Sequence, residues 1–286
     1  MTDAERSTTI KSIVVYLVLT FALSSFFYWK LTHLVPGTNE ALFYLGLMWC
    51  PGVSGLLTRL LFQGNLRGHG FTWGKTKYQF ASYWIPLAYA CAVYLPVWFA
   101  GYFDPHGPVL QKMAQKFPQI PPIAVLLVFF LIVATAGVLG SCMSAVGEEL
   151  GWRGFLVPQL AKVTTFPKVG LISGVIWASW HIPVILGGDY HGAGPAWYSV
   201  TCFLVMVVGI SFVFAWMRLK SGSVWTGMLL HASHNCFIQA FFDPQTRHAR
   251  LTDLWTTEFG SGLALAGILL AIIFYRKRGE LASAKV

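Results

Sequence analysis

Runs of about twenty mostly apolar residues recur along the whole of this 286-residue chain. Each is long enough to cross the hydrocarbon core of a bilayer as a single helix. Eight are found, over Ser12–Trp29, Ala41–Phe62, Phe80–Phe103, Pro122–Val146, Pro167–Leu186, Trp197–Met217, Val224–Phe242 and Phe259–Tyr275. Apolar residues make up 56% of the chain and charged residues only 11%, against roughly a quarter charged in a soluble domain. A soluble fold cannot enclose that much apolar surface and still cover itself with polar groups. The same numbers exclude disorder. The expected fold is all-α, a polytopic membrane helix bundle of about eight transmembrane helices.

Basic residues set the orientation. With the N-terminus inside, Lys30, Lys112, Lys116, Arg247 and Arg250 fall on the outer side, and the other 15 of the 20 Lys and Arg, from Arg6 to Lys285, on the inner side. This asymmetry satisfies the positive-inside rule and places both termini in the cytoplasm. It also accounts for the net charge of +9 through contact with anionic lipid headgroups, with no nucleic-acid partner. The first apolar run exceeds a signal-peptide core and is expected to be a retained anchor. The five Cys lie inside apolar stretches without a CxxC pair, so neither a disulfide framework nor a thiolate metal site is expected. The stretch Glu148–Leu160 is expected to form a short amphipathic helix between spans four and five.

Nine of the 11 acids, Asp243 and Glu258 among them, are placed in loops and tails and read as solvated. Three ionisable clusters stand apart. At the inner end of span four, Glu149 and Arg153 are spaced i, i+4 and can pair on one helix face. Glu148 points about 100° away and is left without a local partner. Adjacent, partly desolvated carboxylates repel, which favours proton uptake by one of them; a helix-end ion pair beside a headgroup-level Glu is the plainer alternative. In span five, His181 lies about 20 Å along the helix from Pro167, near mid-membrane, with Trp177 four residues before it and Pro183 as a source of a kink. It is either a functional group or a buried imidazole bonded to a neighbouring helix. In span seven, His231 and Asn235 are i and i+4, with His234 beside them, and can equally serve as interhelical hydrogen-bond donors.

Taken together, the three clusters resemble the motifs of the CPBP family of intramembrane proteases, which includes the type II CAAX prenyl endopeptidases and the Abi proteins. The first motif, EExxxR, is matched by Glu148, Glu149 and Arg153; the second, FxxxH, by His181 with Trp177 in place of Phe; the third, HxxxN, by His231 and Asn235. The resemblance covers about Leu131–Phe242. It divides the chain into an N-terminal transmembrane region (1–120, spans one to three, no motif), a CAAX-protease-like catalytic core (121–245), and a last outer loop, final span and basic tail (246–286).

The resemblance implies an intramembrane endopeptidase, of metallo- or glutamate type, that cuts membrane-associated substrates, CAAX-type prenylated ones included. By that analogy Glu148 and His181 activate water, and His231 and Asn235 hold the oxyanion. Glu149, Arg153 and Trp177 support them, Trp177 by altering pocket shape rather than chemistry. Zinc on Glu148, His181 and His231 is the implied metal alternative, and no organic cofactor is implied. Partners are membrane lipids and a membrane-anchored peptide or protein, in a bacterial-type plasma membrane rather than the endoplasmic reticulum. Two alternatives are a proton-coupled transporter and a non-catalytic immunity or scaffold protein of the same fold. The terminal residues Ser283 to Val286 are not a CAAX box.

Overall fold

The computed structural model describes residues 1–34 and 37–282. Helices α1 (Asp3–Thr32), α2 (Glu40–Gln63), α3 (Thr76–Val97), α4 (Pro108–Lys116), α5 (Pro122–Ile132), α6 (Val138–Glu149) and α7 (Val157–Val163) form the first half. They are followed by α8 (Phe166–Gly187), α9 (Ala196–Ser221), α10 (Trp225–His234), α11 (Arg250–Trp255), α12 (Ser261–Arg276) and α13 (Gly279–Ala282). Among the described residues there is no named strand, only one isolated bridge between Phe103 and Thr246. The last four residues, Lys285 of the inner basic set included, lie outside the described residues.

Helix ends follow local chemistry. Thr2 and Glu5 form a reciprocal capping box on α1, which satisfies two amides that the first turn leaves unpaired. The Asn39 side chain caps α2. Gly64 and Gly222 terminate α2 and α9 at φ of 67° and 72°, a left-handed conformation that glycine adopts without a Cβ penalty.

Six of the expected spans fall in helices long and apolar enough to cross a membrane. The seventh and eighth are shorter. Helix α10 gives way after ten residues to a π-helical stretch, Asn235–Phe242, and α12 has 16 residues, about 24 Å of rise against a core of about 30 Å. The expected amphipathic helix Glu148–Leu160 is corrected. Helices α5, α6 and α7 run on as one 42-residue segment, Pro122–Val163, through π turns at Val133–Gly137 and Leu150–Leu156. Every residue of the second turn is buried, Arg153 included. No polar face remains for solvent, because Arg153 finds its counter-charge inside the bundle.

Helix α9 is the hub, with 67% of its most apolar window buried, and it packs between α8 and α12. Helix α2 packs directly on the Glu-bearing segment. A Cβ on Gly151 would lie 2.4 Å from the Pro51 backbone, and one on Gly52 would lie 2.3 Å from the Gly147 carbonyl oxygen. Glycine at these positions lets two backbones touch and fixes where α6 delivers its carboxylates.

The loop between α2 and α3 closes the far side of that segment. His69 is fully buried; its Nε2 donates to the Leu150 carbonyl at 2.8 Å, and its ring fills the space above Gly154. Its Nδ1 has no partner. Burial, followed by the nearby Arg59 and Arg218 charges, pushes this imidazole down to about 4 although the Leu150 bond opposes the shift. The released loop takes up a proton near pH 6.5 and the docked loop only near pH 4. Docking is therefore lost as pH falls through this window, by of order 2–3 kcal/mol at its acid end. Amide hydrogen exchange around His69, corrected for its intrinsic pH dependence, should accelerate between pH 7 and pH 4.5. It should be pH-independent in His69→Gln, and pH-independent protection in the wild type would refute the assignment.

Candidate active site

The expected i, i+4 pair is present: Arg153 Nη1 donates to Glu149 Oε1 at 2.8 Å, with both side chains almost wholly buried. The same oxygen accepts His231 Nδ1 at 3.1 Å, so one carboxylate ties α6 to α10. The Arg153 guanidinium lies between two rings, 4.1 Å from the Trp177 centroid and 3.9 Å from that of Phe214. Cation–π attraction adds to the ion pair there, with both charged side chains almost wholly buried.

Helix α10 approaches Glu149 at Gly227, where a Cβ would lie 2.5 Å from Glu149 Oε2. Gly227→Ala is expected to push the carboxylate off His231 and to lower any activity of the site about tenfold or more. Activity of the alanine variant equal to wild type would show that the carboxylate gives way freely.

Glu148 departs from expectation. It is 1% exposed and has partners after all: Oε2 accepts the Trp177 indole N–H at 2.7 Å and the Trp152 indole N–H at 3.3 Å. Sequence spacing shows that Trp152 is i+4 to Glu148, but not that an indole nitrogen on another helix reaches the same oxygen. Oε1 makes no hydrogen bond to a described residue, and Glu148 lines a cavity of about 560 Å³. The two glutamates thus differ in their hydrogen-bond donors, an Arg and a His on Glu149 and two neutral indoles on Glu148.

His181 faces the same cavity, packed against Trp180 and Phe203. Its Nδ1 lies 2.9 Å from the Trp177 carbonyl of its own helix. A carbonyl only accepts, so Nδ1 carries the proton and Nε2 is left with its lone pair. His231 and Asn235 also line the cavity. With His231 Nδ1 held by Glu149, its Nε2 is the free nitrogen. The Asn235 carboxamide makes no hydrogen bond to a described residue. Glu148 at the end of α6 and His181 within α8 thus line one cavity.

Zinc needs three such donors around one point and a fourth place for water. Among the described residues no three His, Cys, Asp or Glu side chains are grouped in this way. Glu148, His181 and His231 share a cavity but do not fit a three-ligand site as they stand.

A second polar cluster, around Glu258, lines the same cavity, and it corrects the assignment of two of the nine acids, Glu258 and Asp243, to solvated loops. Glu258 is buried and lines the cavity. His234 Nε2 donates to its Oε1 at 2.8 Å, and Tyr190 and Gln239 donate to Oε2 at 2.6 and 2.7 Å. Burial alone would raise this carboxyl, but the bonds from His234, Tyr190 and Gln239 outweigh it and the net shift is downward. Asp243 is half-buried and accepts the Tyr94 hydroxyl; burial pushes it up to about 7. The neighbouring Thr257 takes a φ of 64°, a strained conformation for a β-branched residue, with its N–H on the Tyr94 hydroxyl at 2.9 Å. The available sequence signal was a lone Glu directly before an apolar run. Hydropathy does not distinguish it from a solvated residue.

The motif-bearing segment matches a known family, and the chain has a known relative. CAAX prenyl protease 2 of Methanococcus maripaludis is 29% identical over 83 residues, which are 28% of this chain and 30% of that protein. The chain thus aligns with less than a third of that relative's length. Neither this match nor the family match favours the transporter alternative. Residues 122–237, which carry Glu148, Glu149, Arg153, Trp177, His181, His231 and Asn235, match the family described as type II CAAX prenyl endopeptidase, Rce1-like.

Proposed function

We propose that the protein is a membrane-embedded endopeptidase that hydrolyses peptide bonds of membrane-associated, CAAX-type substrates, with both termini on the cytoplasmic side. The observation that carries this reading is the convergence of Glu148, His181, His231 and Asn235 on one cavity, each with an atom left unpaired toward it. A water bound between Glu148 Oε1 and His181 Nε2 gives a proton to Glu148 as its oxygen bonds to the scissile carbonyl carbon. The carbonyl becomes an oxyanion, which accepts hydrogen bonds from the Asn235 carboxamide and His231 Nε2. Because Nδ1 of His231 already donates to Glu149, its Nε2 can donate only as imidazolium, and Glu149 is the counter-ion for that charge. The intermediate then collapses, the C–N bond breaks, and the leaving nitrogen takes the proton back from Glu148. No step passes through a metal.

The test is cleavage of a panel of membrane-anchored peptides, prenylated and unprenylated, by the detergent-purified full chain. Wild type should cleave and His181→Ala should not; equal cleavage by both would sink the assignment. Asn235→Ala removes one oxyanion donor and is expected to lower kcat by about 10²–10³ with little change in KM. A rise in KM alone would instead assign Asn235 to substrate binding.

A further inference from the structure

Glu148 is held by neutral donors alone, and one residue reaches both members of the proposed water-activating pair. The Trp177 indole N–H bonds Glu148 Oε2 at 2.7 Å while the Trp177 carbonyl accepts His181 Nδ1 at 2.9 Å. We propose that Trp177 is a positioning residue that aims the carboxylate and the imidazole together, with Trp152 as the second, weaker clamp on the same oxygen. This deepens the reading of the protein as an endopeptidase and rests on it.

The geometry makes the clamp rigid. The Trp177 ring lies under the Arg153 guanidinium and against Phe214 and His231, with centroids at 5.2 and 5.5 Å. Trp152 is wedged edge-on between Tyr16 and Trp180. Neither indole can turn without displacing buried side chains. With Oε2 tied down, the carboxylate has one oxygen left, and Oε1 is the one presented to the cavity.

The choice of donor has chemical sense. A cation on Oε2 would fix the carboxylate equally well but would stabilise its charge and weaken it as a base. An indole N–H orients it and adds no formal charge. The adjacent Glu149 has the opposite arrangement, an Arg and a His on one oxygen, and is spent on holding helices together. A Phe at 177, as in the motif this chain otherwise follows, offers the same apolar ring and no hydrogen bond.

The experiment replaces Trp177 by benzothienylalanine, which keeps the bicyclic shape and puts sulfur in place of N–H, and separately by Phe. Cleavage of a membrane-anchored peptide by the full chain is measured as kcat and KM, alongside thermal stability and the indole ¹H–¹⁵N resonance of Trp177 in the wild type and in Glu148→Ala. The expected result is a fall in kcat of about ten- to a hundredfold, with KM and melting temperature near wild type. The indole resonance should shift when Glu148 is removed. Unchanged kcat in the benzothienylalanine variant overturns the proposal while leaving the endopeptidase reading intact. Loss of melting temperature with parallel changes in kcat and KM overturns it as well, since that pattern marks packing alone. A wild type that cleaves nothing removes the endopeptidase reading, and the positioning role with it.

Discussion

Glu148→Gln should lower kcat for peptide cleavage by about 10²–10⁴-fold while leaving the fold intact. Glutamine is nearly isosteric, and its amide oxygen can still accept the Trp177 and Trp152 N–H groups that hold Glu148 Oε2. What it loses is the second oxygen as a proton acceptor. Thermal unfolding in detergent should therefore change little, and substrate should still bind. A glutamine variant with wild-type kcat would be decisive against Glu148 as the base, and would leave His181 to act alone. A variant that fails to fold would show that the carboxylate's charge is structural.

The second large effect is on stability, one residue further on. Glu149→Ala leaves Arg153 buried between Trp177 and Phe214 with no anion beside it. Removing one partner of a buried pair costs about 3–5 kcal/mol, because the other charge stays behind. The same substitution frees His231 Nδ1, so stability and activity should fall together. Converting Arg153 to Met in the Glu149→Ala background removes the stranded charge and should recover much of the stability but not the activity, since His231 still lacks its counter-ion. If the double variant recovers neither, the loss comes from packing. Glu148 and Glu149 are neighbours in the chain, yet their substitutions should separate cleanly into kcat and stability.

The helical membrane character was readable because it depends on composition and run length alone. So was the Glu149–Arg153 bond, which needs only 3.6 residues per turn. The His181–Trp177 relationship was readable as a shared face, though not as a bond to the Trp177 carbonyl that sets the tautomer. Glu258 was misplaced for a definite reason. A loop residue is solvated by default, and whether the chain folds back over a cavity is set by partners such as Tyr190 and Gln239, 68 and 19 residues away. The amphipathic reading of Glu148–Leu160 fails in a similar way: spacing shows the counter-ion of Arg153 but not the Trp177 and Phe214 rings that cover it.

The sequence by itself determined that this chain is a helical membrane protein and which few polar side chains are out of place in it. Both follow from the cost of exposing polar groups to hydrocarbon, which is a property of each segment alone. Only the tertiary structure decided which of those side chains meet. It put His231 on Glu149, turned two indole N–H groups onto Glu148, and brought Glu258 into the lining of the same cavity. Hydrogen bonds reach about 3 Å, and contacts at that range between separate helices are set by how the helices pack, which spacing along the chain does not encode.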